Sequence, residues 1–174
     1  MTTLTAHIPV IETERLRLRG PCMADLPAFA AFSRSDRSHF VGGPSTADHA
    51  AWDGLRGMIG HWVLRGFGWW TVEDKATGTV AGRVGIGHHT DWPEPELGWH
   101  IFDGFEGKGL AHEAALAARA HGHGPMRLGP VISLVHPDNL RSRRLAERMG
   151  ARIEGDMTLR GTPCLIYRHP AGAA

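Results

Sequence analysis

A single mixed α/β domain is the fold class this sequence predicts, and three observations predict it. Segments with helical spacing of apolar residues give way at Trp69 to segments of period two, and both kinds recur afterwards. Turns rich in glycine and proline separate them, in a chain with 23 Gly and 11 Pro. No internal repeat, linker or low-complexity tract divides the 174 residues, a length that buries one full core. The domain is expected over residues 12–171, behind a loose leader at residues 1–11.

The elements follow in order. Arg15-Leu16-Arg17-Leu18-Arg19 alternates as a half-buried strand that stops at Gly20-Pro21. Asp25 offers an N-cap to a first helix, with Pro27 in its first turn and Leu26, Phe29, Ala30 and Phe32 on one side. Ser45, with Asp48 three residues on, announces a second helix whose apolar positions Trp52, Leu55, Met58, Ile59, Trp62 and Val63 run to a stop at Gly66. Gly54, Gly57 and Gly60 weaken that helix and allow close contact or movement. Strands follow at Trp69–Glu73 and Thr79–His88, then at Glu96–Phe102 after a proline-containing loop over residues 91–95. An alanine-rich helix over about Leu110–Ala120 is ended by Gly122 and Gly124-Pro125. Val131–Val135 is a short continuous apolar run, as in a buried strand. Asp138 or Asn139 caps a helix over Leu140–Met149, and strands near Ile153–Leu159 and Cys164–Arg168 complete the chain.

Composition narrows the classes of function. Hydrophobic content of 42% and charged content of 21% describe an ordinary globular protein. A net charge of +1 supplies no global field for nucleic acid or an anionic membrane. Two distant cysteines without paired spacing, and no run of apolar residues long enough to span a bilayer, point to the cytoplasm. Twelve histidines raise the question of a metal, yet His88-His89 and His121-Gly122-His123 lack ligand spacing with Cys or carboxylate partners, so no metal is expected.

The most informative stretch is Phe105-Glu106-Gly107-Lys108-Gly109-Leu110-Ala111-His112-Glu113. Two glycines spaced by one residue run into a helix, where free N–H groups and the positive dipole end favour a bound anion, most often a phosphate. It is neither a P-loop, since no Gly-Lys-Ser/Thr follows, nor a dinucleotide fingerprint, since His112 stands where the third glycine would fall. Roughly thirty residues on come His136-Pro137-Asp138-Asn139-Leu140-Arg141-Ser142 and then Met149-Gly150-Ala151.

This succession resembles the GNAT acyl-CoA N-acyltransferase superfamily. Glu12-Thr13-Glu14-Arg15-Leu16-Arg17-Leu18-Arg19, Gly66-Phe67-Gly68-Trp69-Trp70 and Glu96-Leu97-Gly98-Trp99 resemble its RimJ/RimL-like ribosomal-protein acetyltransferase branch. The resemblance implies a central, mostly antiparallel twisted sheet flanked by helices, with strands splayed at the cofactor site. It also implies acetyl transfer from acetyl-CoA directly to a primary amine, either a protein N-terminal amine or a small-molecule amine. His100, Ile101 and Phe102 would then hydrogen-bond the pantetheine arm through the backbone, and an amide near Ile101 would meet the oxyanion. The turn Glu106, Gly107, Lys108, Gly109, Leu110 and Ala111 would hold the pyrophosphate. Position 106 departs from the family's Gln or Arg, and a carboxylate there needs solvent or a cation such as Lys108. Asn139 would approach the pantetheine or the departing sulfur, Ser142 would donate a proton to the thiolate, and Arg143 or Arg144 would reach the 3′-phosphate.

For the base that neutralises the attacking amine, Glu96 is the first candidate, with His88 and His89 as alternatives and Glu73 a weaker one. Asn139 could equally be a plain helix cap, and Arg141, Arg143, Arg144 and Arg148 a solvated face. The acceptor groove is expected between residues 38–70 and the loop 90–95, with Trp52, Trp69, Trp70 and Trp92 as candidate walls. Two readings from other classes stay open: a non-catalytic acyl-CoA-binding or regulatory module, and an RNA- or ribosome-associated binding protein using the arginine helix. An exposed last strand could pair a homodimer.

Overall fold

The computed structural model describes residue 1, residue 3 and residues 5–171. Among these, eight strands form one sheet: β1 (Ile11–Glu12), β2 (Leu16–Arg19), β3 (Trp69–Asp74), β4 (Thr79–Gly87), β5 (Glu96–Ile101), β6 (Ile132–Val135), β7 (Arg152–Leu159) and β8 (Thr162–Arg168). Their spatial order is β1-β2-β3-β4-β5-β6-β8-β7, with every neighbouring pair antiparallel except β5 and β6. The helices are α1 (Leu26–Arg34), α2 (Asp48–Arg65), α3 (Leu110–His123) and α4 (Leu140–Arg148). This is the mixed, mostly antiparallel architecture expected. No helix among the described residues is long and apolar enough to cross a membrane.

Strand alternation sorts the core onto two faces. Leu16, Leu18, Trp70, Val72, Val84, Ile86 and Leu97 are fully buried in one cluster with Ala114, Ala115 and Ala118 of α3. Alanine on that side of α3 lets the helix lie close to the sheet. On the other face Phe102 packs with Phe29 of α1 and Ala51, Leu55 and Met58 of α2.

Local signals gave way to tertiary ones in several places. Part of the leader is not loose: Ile11–Glu12 pairs with β2, and the Pro9 carbonyl accepts from Trp70 Nε1 at 2.8 Å. Residues 2 and 4 of it lie outside the described residues. The second helix starts at Asp48 behind Ala47, not at a Ser45 cap. α3 runs past Ala120 to His123, and Gly122 is a packing site rather than a stop: a Cβ there would overlap Ile86 Cδ1 at 2.3 Å. The last strand is not an exposed edge, because β8 lies between β6 and β7 and the open edge belongs to β7.

Asp25 precedes α1 but makes no side-chain cap bond to it. Its buried carboxylate instead accepts from Arg19 Nη2 at 2.7 Å, Thr71 Oγ1 at 2.8 Å and the Cys22 amide at 3.0 Å. Burial pushes its pKa up, but these donors prevail and hold it below the usual value. Asp25→Asn is therefore expected to lower unfolding stability by about 2 kcal/mol, because it strips the charge from a buried, hydrogen-bonded carboxylate while Arg19 keeps Glu73. With a depressed folded-state pKa, the carboxylate's contribution is present above its unfolded pKa and lost as pH falls through the folded one. Urea unfolding of both proteins at pH 7 and near pH 2.5, below the ordinary carboxylate value, checks this: the gap should narrow at the lower pH, and equal midpoints at pH 7 would refute it.

Candidate active site

The site begins where β5 and β6 part. The two strands are in parallel register only at Glu96 and Ile132. One residue on, the Leu97 carbonyl accepts from the Ser133 hydroxyl, and Ser133 is in turn 2.9 Å from His169 Nε2. Beyond this tie the strands diverge, leaving a wedge along β5. Phe102 donates its N–H to Ala81 of the β4 side at 2.9 Å. Alternation along the strand then turns the backbone groups of Trp99 and Ile101 toward the wedge, and those of His100 and Phe102 toward β4. Of the three residues expected to meet the pantetheine through the backbone, the structure turns only Ile101 that way and adds Trp99. Arg37 Nη2 already occupies the Ile101 carbonyl at 2.9 Å, which leaves the Ile101 N–H on the wedge side.

A cavity of about 1000 Å³ opens along this wedge, lined by the faces of β5, the glycine turn and the start of α4. Gly107 (φ +74°) and Gly109 (φ +78°) both take left-handed backbone, and Gly109 is the N-cap of α3. Glu106, Gly107, Gly109, Leu110 and Ala111 all line the cavity. Lys108 turns away: its Nζ donates to the Gly104 carbonyl at 2.7 Å and lies over the Phe105 ring.

The cation that answers Glu106 is Arg37, from the 3-10 turn Asp36–Val41, and not Lys108. Arg37 reaches Glu106 Oε1 at 2.8 Å and Asp103 Oδ1 at 3.0 Å. Hydrogen bonding from backbone amides around residue 106, followed by Arg37, keeps the Glu106 pKa below its ordinary value despite slight burial. A second brace holds the turn to β2: Arg15 donates to the Lys108 carbonyl at 2.8 Å and pairs with Glu113 at 2.7 Å. Neither arginine carries a local sequence signal for this role.

Glu96 stands at the closed end of the wedge. Its carboxylate takes a short hydrogen bond from Trp92 Nε1 and one from the Leu134 amide at 3.1 Å. Burial outweighs both donors and pushes its pKa to about 7. The loop that carries Trp92 is pinned by the β7–β8 hairpin tip, where Arg160 pairs with Asp91 at 2.6 Å and lies over the Trp92 ring. His89 packs on Trp92 with ring centroids 4.6 Å apart, and burial keeps its imidazole below the usual value. The His88 amide donates to His61. Glu73 is taken up by Arg19 at 2.7 Å and Arg17 at 3.2 Å, away from this loop.

At the α4 end, Asn139 is the N-cap: its Oδ1 accepts from the Ser142 amide at 3.2 Å. Asn139, Ser142 and Arg144 line the cavity. Arg143 does not; it donates to Tyr167 Oη at 3.2 Å and to the Pro137 carbonyl at 3.0 Å. On the α1/α2 face Trp69 lies in a trough floored by glycine, because a Cβ at Gly98 would meet its ring at 2.3 Å and one at Gly87 at 3.0 Å. Trp70 is fully buried against Trp62 and α3, so it is no groove wall, and Trp52 is exposed on α2.

Comparison with known proteins fits this geometry. The family model for the acetyltransferase (GNAT) domain matches residues 15–152. An acetyltransferase structure from Agrobacterium tumefaciens str. C58 is 36% identical, with a TM-score of 0.87 over 98% of this chain and 99% of that one. A ribosomal L7/L12 alpha-N-protein acetyltransferase, RimL, in complex with coenzyme A shares the fold at 18% identity, with a TM-score of 0.78 over 95% of this chain and 100% of that one. The N-acetyltransferase YnaD of Bacillus subtilis (strain 168) is 34% identical over 83 residues, 48% of this chain and 46% of that protein. The chain spans about half the length of the curated relatives it matches. A sheet split between β5 and β6, with a glycine turn feeding α3 at the mouth of the split, thus has its counterpart in a match across most of the sequence: the chain belongs to the GNAT acetyltransferase family.

Proposed function

We propose that this protein transfers the acetyl group of acetyl-CoA directly to a primary amine. The observation that carries the reading is the wedge itself, with amides along one edge, left-handed glycines at its mouth and a carboxylate of raised pKa at its closed end. The amides of Gly107 to Ala111 would hold the pyrophosphate. Arg144 is better placed than Arg143 for the 3′-phosphate, since only Arg144 lines the cavity. Glu96, directly or through a water, takes one proton from the acceptor's ammonium group. The freed nitrogen lone pair attacks the thioester carbonyl carbon, whose oxyanion is met by the Ile101 N–H. The C–S bond breaks, and the nitrogen's second proton ends on the departing sulfur through Ser142, giving an amide and a thiol.

Thiol release from acetyl-CoA against a panel of amines and peptide N-termini tests the reading. Acceptor-dependent release supports it; coenzyme A binding without release from any acceptor favours the non-catalytic module. Glu106 offers a finer check. Glu106→Gln removes a negative charge beside the pyrophosphate turn, so acetyl-CoA affinity should rise about two- to fivefold at low salt and less at high salt. Calorimetry at two salt concentrations measures this, and weaker binding by the variant would overturn it.

A further inference from the structure

Arg83 sits in the middle of β4, in register with Thr71 of β3 and His100 of β5, and points to the α1/α2 face. It is mostly buried, yet no carboxylate among the described residues pairs with it. The other buried arginine, Arg119, donates to the Met149 carbonyl at 2.7 Å. By contrast Arg83 makes one side-chain hydrogen bond, from Nε to His100 Nδ1 at 2.8 Å, and stacks over the Trp69 ring at 5.1 Å. His100 must be neutral to accept that bond, and burial, with Arg83 beside it, holds its pKa well below the usual imidazole value. Both terminal nitrogens of Arg83 are therefore left without a protein partner among the described residues.

Those nitrogens face a cleft of about 290 Å³ between α1, α2 and the segment joining them. Arg83, Gly54, Ala51, Ser33, Ser45 and Phe32 are among its walls. Gly54 brings the α2 backbone alongside, since a Cβ there would lie 3.8 Å from Arg83 Nη1. The cleft shares Phe32 and Val41 with the larger cavity, so the two adjoin. A guanidinium fork in a partly enclosed cleft, with no counter-charge among the described residues, matches an oxyanion bound through two parallel hydrogen bonds, and the cleft's small volume suits a carboxylate, the compact planar one. Arg83 lies one strand from His100, so an anion there is roughly one to two strand spacings, about 5–10 Å, from the wedge edge of β5.

We propose that this cleft is the acceptor's recognition site and binds a carboxylate borne by the amine substrate, with Arg83 as the specificity-determining residue. The inference rests on the acetyl-transfer reading, and it narrows the acceptor to an amine that also carries an anionic group within that reach.

The test compares matched acceptors on the full chain: lysine against lysine amide and cadaverine, and peptides with Asp against the same peptides with Asn near the N-terminus. The wild type should favour the carboxylate-bearing partner in kcat/KM by roughly tenfold to a hundredfold. A preference confined to the peptides would identify a peptide carboxylate as the source, and one confined to lysine a free amino acid. Arg83→Gln should bring the ratio close to one, and Arg83→Lys should restore only part of it. In case those variants fold poorly, Gly54→Asp places a carboxylate within reach of the fork from inside the protein. It should abolish the preference while raising the melting temperature. Equal use of matched acceptors by the wild type, with thiol release intact, overturns the inference. If no amine is acetylated, the enzymatic reading fails on its own, and titration of glutarate followed by tryptophan fluorescence decides the cleft. Saturable quenching that Gly54→Asp removes upholds carboxylate binding, and its absence rejects it.

Discussion

Replacing Glu96 by Gln is expected to lower kcat by roughly a hundredfold to a thousandfold, the range for loss of a positioned general base. The direction with pH follows from the environment. Burial beside Trp92 and Leu134 raises the carboxyl pKa to about 7, and a base must be ionised to act. Below pH 7 the parent enzyme's rate should fall tenfold per unit, and above it the curve should flatten. The acceptor's own ionisation remains in both proteins, so the limb near 7 is the part the variant must lose. Stability supplies a second readout of opposite sign. The raised folded-state pKa means that the parent binds more protons folded than unfolded between about 4.5 and 7, so it loses stability as pH rises through that window. Glu96→Gln carries no charge to desolvate and should melt above the parent at pH 8. A variant with nearly full kcat and the same limb would remove Glu96 from the mechanism.

The second large effect is expected at Gly109. Valine there must either adopt a left-handed backbone, costing about 1–3 kcal/mol, or pull the turn into another shape. The nearest side-chain atom to a Cβ at this position is Arg15 Nη2 at 3.5 Å, so backbone conformation and not crowding is the obstacle. Because the same turn aims the amides at the α3 N-terminus, the loss should fall on the donor. The Kd for acetyl-CoA should rise roughly tenfold to a hundredfold, the equivalent of that strain, while kcat at saturating donor changes little. Calorimetric titration with coenzyme A separates the two, and unchanged affinity in a folded variant would show that the turn does not grip the nucleotide.

Much of this arrangement can be read along the chain because it is local. The glycine turn, the strand before it and the Asn139 cap each occupy a few consecutive residues whose chemistry demands a particular backbone. What escaped is long-range. Arg37 answers Glu106 from 69 residues away, and Arg160 braces Asp91 across the same distance. Such partners leave no periodicity to detect, since an arginine on a short turn looks the same whether it is solvated or paired. Asp25 shows the converse: its spelling is that of a helix cap, but a half-buried Arg19 and a buried Thr71 hold its oxygens instead. Trp70 likewise neighbours Trp69 in the chain and has the same chemistry, while strand alternation sends one ring to the core and the other to the glycine trough.

That alternation has a consequence for how specificity can diverge. Along β5, Leu97, Trp99 and Ile101 turn their backbone groups to the wedge, while Glu96 and His100 present side chains to the face where Trp69 and Arg83 lie. Under the acetyl-transfer and cleft proposals above, donor and acceptor would be read by different kinds of atom on one ribbon, main chain for the first and side chain for the second. Mutation rewrites side chains and leaves amides in place. On that reading a lineage could exchange the residues at 83 and 100 and change its amine while inheriting its coenzyme site intact, with Gly98 held by the Trp69 ring, whereas a one-residue insertion in β5 would scramble both at once.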